Sequence, residues 1–196
     1  MKDLLDAEPV VVAIAGPNGA GKSTFHAIRI APAGLHFVNA DVLAKELGVG
    51  AYEAAELARR TRESLLTMRE SFVFETVFSD PAGDKLDFLL RAKAAGYTVV
   101  LCFVGLADVE LSKQRVAARV VRGGHPVPEK KLEERFDRTM RNLEQAIRVL
   151  PHVLVYDNSD PSWPLREVAV FRSGERVDDH GPLPAWFPAR RRRRGR

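Results

Sequence analysis

The chain alternates between short apolar runs and longer segments whose apolar residues recur at helical spacing. Apolar runs fall at Val10–Ala15, at His36–Val38, from Phe72 to Phe78, from Tyr97 to Leu106 and from His152 to Tyr156. Runs of this length and composition predict strands buried on both faces. Between them, Ser23–Ile30, Val42–Leu47, Lys85–Ala95 and Asp108–Arg122 are compatible with helix. The segment Ala51–Arg69 carries Ala54, Ala58, Thr61, Leu65 and Met68 as an apolar stripe. A longer helix, from about Pro128 to Leu150, presents Leu132, Phe136, Met140, Leu143, Ile147 and Leu150 on one face. Gly96 supplies a helix stop, Asp108 a helix start, and Gly123-Gly124-His125-Pro126 a break between two helices. Near the end, Glu167–Phe171 and Glu175–Val177 flank Ser173-Gly174, which predicts a small hairpin. Strand–helix repeats with apolar strands predict an α/β fold: a five-stranded parallel sheet with helices on both faces and a small C-terminal hairpin.

Length changes this picture little. At 196 residues the chain suits one domain, expected over residues 1–178, with a Pro/Arg-rich tail over 179–196 expected to be disordered at its end. The single cysteine, Cys102, lies inside an apolar run, so a core position in a reducing cytoplasm is expected. No segment reads as a secretory signal or a membrane span. The net charge of +4 loses its meaning once located: six arginines stand between Arg190 and Arg196, and the rest of the chain is slightly negative. Only that tail could hold RNA electrostatically; no patterned nucleic-acid face is expected.

The first strand stops at Gly16 and opens the stretch Gly16, Pro17, Asn18, Gly19, Ala20, Gly21, Lys22, Ser23, Thr24, which fits the phosphate-loop pattern G-x-x-x-x-G-K-[ST] between a strand and a helix. Glycines let backbone N–H groups approach phosphate oxygens, and the helix that follows turns its positive end to the same anion. Lys22 would reach the β- and γ-phosphates of ATP, and the Ser23 hydroxyl would ligate Mg²⁺.

In a parallel sheet the chemistry lies beyond the C-terminal ends of the strands. That rule selects Asp41, after the second strand, as a general base for an acceptor hydroxyl, with a helix-capping role as the alternative. Glu75 interrupts an apolar run, where a bare carboxylate is costly; pairing with Lys22, Mg²⁺ or substrate would account for it, as would exposure on one face. Thr76 beside it either donates to substrate or is an ordinary strand residue. Arg115, Arg119 and Arg122 share one helical face, and Arg135, Arg138 and Arg141 recur beyond the glycine break. Such a helix–loop–helix can close over ATP and neutralise charge on the departing phosphoryl group, although most of the six suit a solvated face.

The combination of GPNGAGKST, Val38-Asn39-Ala40-Asp41, FETVFS from Phe74 to Ser79, the arginine-flanked Gly-Gly-His-Pro-Val-Pro segment and Tyr156-Asp157-Asn158-Ser159 resembles the zeta-toxin-like P-loop kinases. The resemblance implies an ATP- and Mg²⁺-dependent kinase acting on a hydroxyl of a small molecule, a nucleotide sugar such as UDP-N-acetylglucosamine. It implies Asp41 as base, Glu75 and Thr76 on the substrate side, Arg119 and Arg135 as lid arginines, and an antitoxin-like protein partner. The motif reads Glu-Thr-Val-Phe-Ser where relatives often have Glu-Thr-Thr-Leu-Ser. Other readings of the same loop are an ABC-type ATPase, against which stands the lack of an LSGGQ-like signature, a kinase of gluconate- or shikimate-kinase type, and a non-catalytic nucleotide-binding partner.

Overall fold

A computed structural model describes residues 1–123, 126–178 and 180–187. In chain order the elements are α1 (Lys2–Leu5), β1 (Val10–Ala15), α2 (Lys22–Phe25), β2 (His36–Val38), α3 (Ala40–Leu47), α4 (Ala51–Met68), β3 (Phe72–Thr76), α5 (Asp84–Ala94), β4 (Thr98–Gly105), α6 (Val109–Val121), α7 (Glu129–Val149), β5 (His152–Asp157), β6 (Arg166–Arg172) and β7 (Glu175–Arg176). The sheet order is β2-β3-β1-β4-β5-β6-β7. The first five strands are parallel, and β1 sits between β3 and β4, so the segment after β1 emerges at the middle of the sheet's C-terminal edge.

The expected five-stranded parallel sheet is corrected here, and the expected hairpin is part of the sheet. β6 pairs antiparallel with β5, and β7 with β6, giving one seven-stranded mixed sheet. The parallel set ends on β5, whose outer edge leaves backbone groups to be paired. The hairpin satisfies them and buries Val168, Ala169 and Phe171 on the core.

Two apolar layers sandwich the sheet. One face gathers Phe72, Phe74, Phe88, Leu101, Phe103 and the α7 residues Leu143, Ala146 and Ile147; the other gathers Val12, Ile14, Phe25, Ile30, Cys102 and Tyr156. All six β1 residues are buried, as a central parallel strand requires. Burial pushes the Cys102 thiol up to about 12. The predicted helix Ser23–Ile30 is α-helical only to Phe25; His26–Ile30 forms a π-helical turn and Ala31–Ala33 a 3₁₀ turn. The wider turn brings Phe25 and Ile30, five residues apart, into the same apolar layer.

The stripe on α4 is also corrected. Thr61 and Met68 are exposed, whereas Ala54, Ala58 and Arg62 are buried, with Leu65 packed against the core. A steady i, i+4 step carries an arginine into the buried row. Past the hairpin, Phe187 is buried and Trp186 packs on the same layer. A Cβ on Gly105 would collide with the Trp186 ring, so the strand end must be glycine for the indole to lie there. Among the described residues no helix is long and apolar enough to cross a membrane.

Candidate active site

The loop from Gly16 to Ser23 joins β1 to α2 and is held from two sides. Gly16 has φ +145, and a Cβ there would strike the Val104 carbonyl, so only glycine lets the loop leave between β1 and β4. Ala20 N–H donates to the Pro17 carbonyl at 3.2 Å. From α6, the Ser112 hydroxyl donates to the Asn18 carbonyl at 2.7 Å. From the end of β5, the Asn158 amide donates to the Ala20 carbonyl at 2.8 Å, while its oxygen accepts from Leu165 N–H. Trp186 Nε1–H and Ser159 N–H both donate to the Asp157 carboxylate, which fixes the strand end next to Asn158. Residues 157–159 and Ser112 thus lock a loop whose own backbone is glycine-rich.

Lys22 is 6% exposed and donates to the Pro17 carbonyl at 3.1 Å, with Glu75 Oε1 at 3.9 Å. Burial lowers its pKa; the Glu75 and Asp41 carboxylates oppose that shift, and Arg119 adds to it. Of these charges Glu75 is the one in contact with the ammonium; Asp41 and Arg119 act on it through their fields. Glu75 stands on β3 opposite Ile14 of β1, so its carboxylate arrives beside the start of α2. Its Oε2 accepts from the Ser23 hydroxyl at 2.8 Å and from the Asn39 amide at 3.0 Å. The carboxylate inside an apolar run therefore has three partners, among them the lysine expected for it.

Asp41 is not a cap. Asn39 caps α3, its Oδ1 accepting from Asp41 N–H at 2.8 Å and Val42 N–H at 3.2 Å. That leaves the Asp41 carboxylate exposed in the first helical turn, on the same strand-end as Glu75. Thr76 Oγ1 accepts from Phe78 N–H at 3.0 Å and shapes the turn after β3. His26, stacked on Phe37 with ring centres 3.7 Å apart, is a neighbour that sequence reading missed; burial lowers its pKa and Glu75 opposes the shift.

The arginines divide. Arg119 on α6 bears on Lys22. Arg138 Nε–H donates to the Ser79 carbonyl at 2.9 Å, so it belongs to the scaffold. Thr139 and Asn142 add bonds to the carbonyls of Val77, Phe78 and Asp80, and the three side chains together let α7 hold the segment that follows Glu75 and Thr76. Arg135 is half-buried on α7, and among the described residues no contact ties it to the group around Lys22. Gly124 and His125 of the expected break between the two helices, and the arginine tail, lie outside the described residues.

Asn158, Ser112, Thr139 and Asn142 were the residues whose roles the sequence did not disclose. Asn158 lay within a quoted motif; for the others the only signal was a small polar residue on a helix face otherwise buried.

The donor set fits the groups that the loop motif implies. Ser23 Oγ and the Glu75 carboxylate offer hard oxygen ligands side by side, the type that Mg²⁺ takes together with phosphate oxygens. The buried ammonium of Lys22 and the turned backbone of Gly16–Gly21 suit an anion.

A sequence model of the zeta toxin family matches residues 45–164. The match begins after the loop and Asp41, so those parts rest on their own motif and geometry. No curated protein matches the sequence. Among solved structures, AvrRxo1-ORF1 in complex with ORF2, with sulphate ions and again with ATP, shares 20% identity at a TM-score of 0.69; 91% of this chain is covered and 64% of that one. The chain thus spans less than two thirds of that protein's length. A structure of the PezAT chromosomal toxin–antitoxin system of Streptococcus pneumoniae shares 17% identity at a TM-score of 0.59, over 80% of this chain and 72% of that one.

Proposed function

The chain belongs to the zeta toxin family of P-loop kinase-like proteins, and from that premise we propose that it transfers the γ-phosphoryl group of ATP to a hydroxyl of a small molecule. The observation that carries the reading is the buried Lys22 ammonium of the loop beside the Glu75 carboxylate, which also takes the Ser23 hydroxyl; the charges of Asp41 and Arg119 act on the same ammonium. Water-activating and hydroxyl-activating enzymes share a phosphate loop. An exposed carboxylate on the β2 side, released from capping by Asn39, adds a base on the side away from α6 and β5, which brace the loop.

In this reading the loop N–H groups and Lys22 hold the β- and γ-phosphates, and Ser23 with Glu75 would hold Mg²⁺, which when bound neutralises phosphate charge. Asp41 accepts the proton of the acceptor hydroxyl as its oxygen bonds to the γ-phosphorus and the bond to the bridging β–γ oxygen breaks. ADP leaves with that oxygen. Arg119, and Arg135 when the α6–α7 pair closes, face the charge that builds on the transferring group. Thr76, at the turn that α7 holds, lies on the acceptor side. A nucleotide sugar such as UDP-N-acetylglucosamine is the acceptor that the family resemblance suggests. The toxin–antitoxin and ORF1–ORF2 complexes among the structural neighbours make an antitoxin-like protein the partner to seek.

Asp41→Asn tests the base. The variant should bind ATP and melt as the wild type does, while acceptor-dependent turnover falls on the order of 10²–10⁴-fold. Equal ATP consumption by both proteins, whatever acceptor is supplied, would assign the protein to the hydrolases instead.

A further inference from the structure

Arg62 is 7% exposed, and among the described residues no carboxylate or carbonyl pairs with it. Its Nε is buried without a hydrogen-bond partner. Its neighbours differ: Arg59 and Arg60 bind Glu56, and Arg91 binds Glu63. The Arg62 guanidinium packs on two ring faces, Phe74 with its centre at 5.1 Å and Phe88 at 5.7 Å; Glu63 and Asp80 favour its charge without a hydrogen bond to it. Rings attract a cation but take none of its five N–H donors, and a buried guanidinium with donors unspent is costly. A second atom nearby has the same defect. Asp80 Oδ1 is buried and unpartnered, its Oδ2 accepting from Lys85 N–H, and its charge favours the Arg62 cation without bonding to it.

Beside these atoms lies a pocket of about 250 Å³ between α4 and α5, lined by Arg62 and closed on one side by Phe88. Arg59 and Arg91 line it too, but two nitrogens of each are already bound, by Glu56 and Glu63, so they contribute mainly potential. Lys85 adds a further positive charge to the lining, while Glu63, Asp84 and Asp87, which also line the pocket, oppose a polyanion. The walls therefore suit one anionic group with hydroxyls around it, not a nucleic-acid backbone. We propose that this pocket binds a single phosphate or carboxylate group, held by the fork of Arg62.

The pocket lies across β3 from the loop. Phe74 and Glu75 are successive strand residues and face opposite sides of the sheet. Lys85, which lines the pocket, donates its N–H to Asp80, and Asp80 ends the segment 77–80 that α7 holds beyond Thr76, so an occupant would bear on the acceptor side of the proposed site. The anion is either a portion of the acceptor itself or a separate effector.

The test uses inorganic phosphate as the probe, titrated by calorimetry into the full chain carrying Lys22→Ala, which removes the loop as a competing phosphate site. Saturable binding is expected below ~10 mM, weakened about tenfold or more by adding Arg62→Met and less by Arg62→Lys. Arg62→Gln serves if the methionine variant does not fold. Phosphate should raise the melting temperature of the Lys22→Ala chain but not that of the double variant. No saturable binding, or binding unchanged by the loss of Arg62, overturns the proposal. In a transfer assay on the otherwise intact chain, Arg62→Met raising acceptor KM with kcat retained marks the anion as part of the acceptor. Unchanged KM with loss of a phosphate effect on turnover marks an effector. The phosphate arms are readable even if the chain transfers nothing, so failure of this site and failure of the kinase reading are separate results.

Discussion

Two cations are buried in this protein to nearly the same depth, Lys22 at 6% exposure and Arg62 at 7%. Their surroundings could hardly differ more. Lys22 has a carbonyl at 3.1 Å and a carboxylate at 3.9 Å, and that carboxylate is itself held by Ser23 and Asn39. Arg62 has two phenyl faces and two carboxylates, Glu63 and Asp80, neither of which bonds to it. A buried charge with resting partners is stable before its ligand arrives and exchanges those partners for phosphate. A buried charge without them leaves its donors to be met from outside. The first arrangement is written into a local motif, and the second emerges only from packing.

Removing the counter-charge should therefore separate the two sites. Glu75→Gln leaves Lys22 buried beside a neutral amide and should lower unfolding free energy by about 1–3 kcal/mol in denaturant titrations. Arg62→Met takes away a charge that has no bonded partner, so its cost should be smaller, within about 1 kcal/mol. A Glu75→Gln chain as stable as the wild type would mean that Lys22 does not depend on that carboxylate, and the contrast between the sites would collapse.

A weaker effect is expected from pH. Burial lowers the pKa of His26, beside Glu75, and of His152 below the ordinary imidazole value of 6.5. Folding therefore disfavours protonation of both rings, while the unfolded chain takes up protons near pH 6.5. The stability they contribute is present above that value and is lost as pH falls through the lowered folded values. Melting temperatures of wild type and His26→Asn, compared across this window, should show a shallower fall in the variant. Parallel slopes would show that His26 takes no part in the fall.

What could be read beforehand follows the same division. Buried parallel strands announce themselves as apolar runs, and the predicted strands recur in the structure with small shifts at their ends. The phosphate loop was legible because its glycines, Lys22 and Ser23 act through local backbone geometry. The partners of Glu75 were anticipated only in part: Lys22 could be guessed, whereas Asn39 depends on α3 starting one residue after it. Arg62 was hidden because an arginine counts as polar, so the α4 stripe was drawn through Thr61 and Met68 instead. The attachment of β6 to β5 could not be read from the hairpin's own residues, since edge pairing is decided by which strand is left unpaired. Trp186 on Gly105 joins residues 81 positions apart, a relation for which neither segment carries a signal.

The central claim is that the loop around Lys22 is a nucleotide site, and calorimetric titration of MgATP into wild type and Lys22→Ala measures it directly. The account predicts saturable binding by the wild type and a loss of affinity of about tenfold or more in the variant, with both chains folded and melting alike. Equal affinity in the two folded proteins would contradict it.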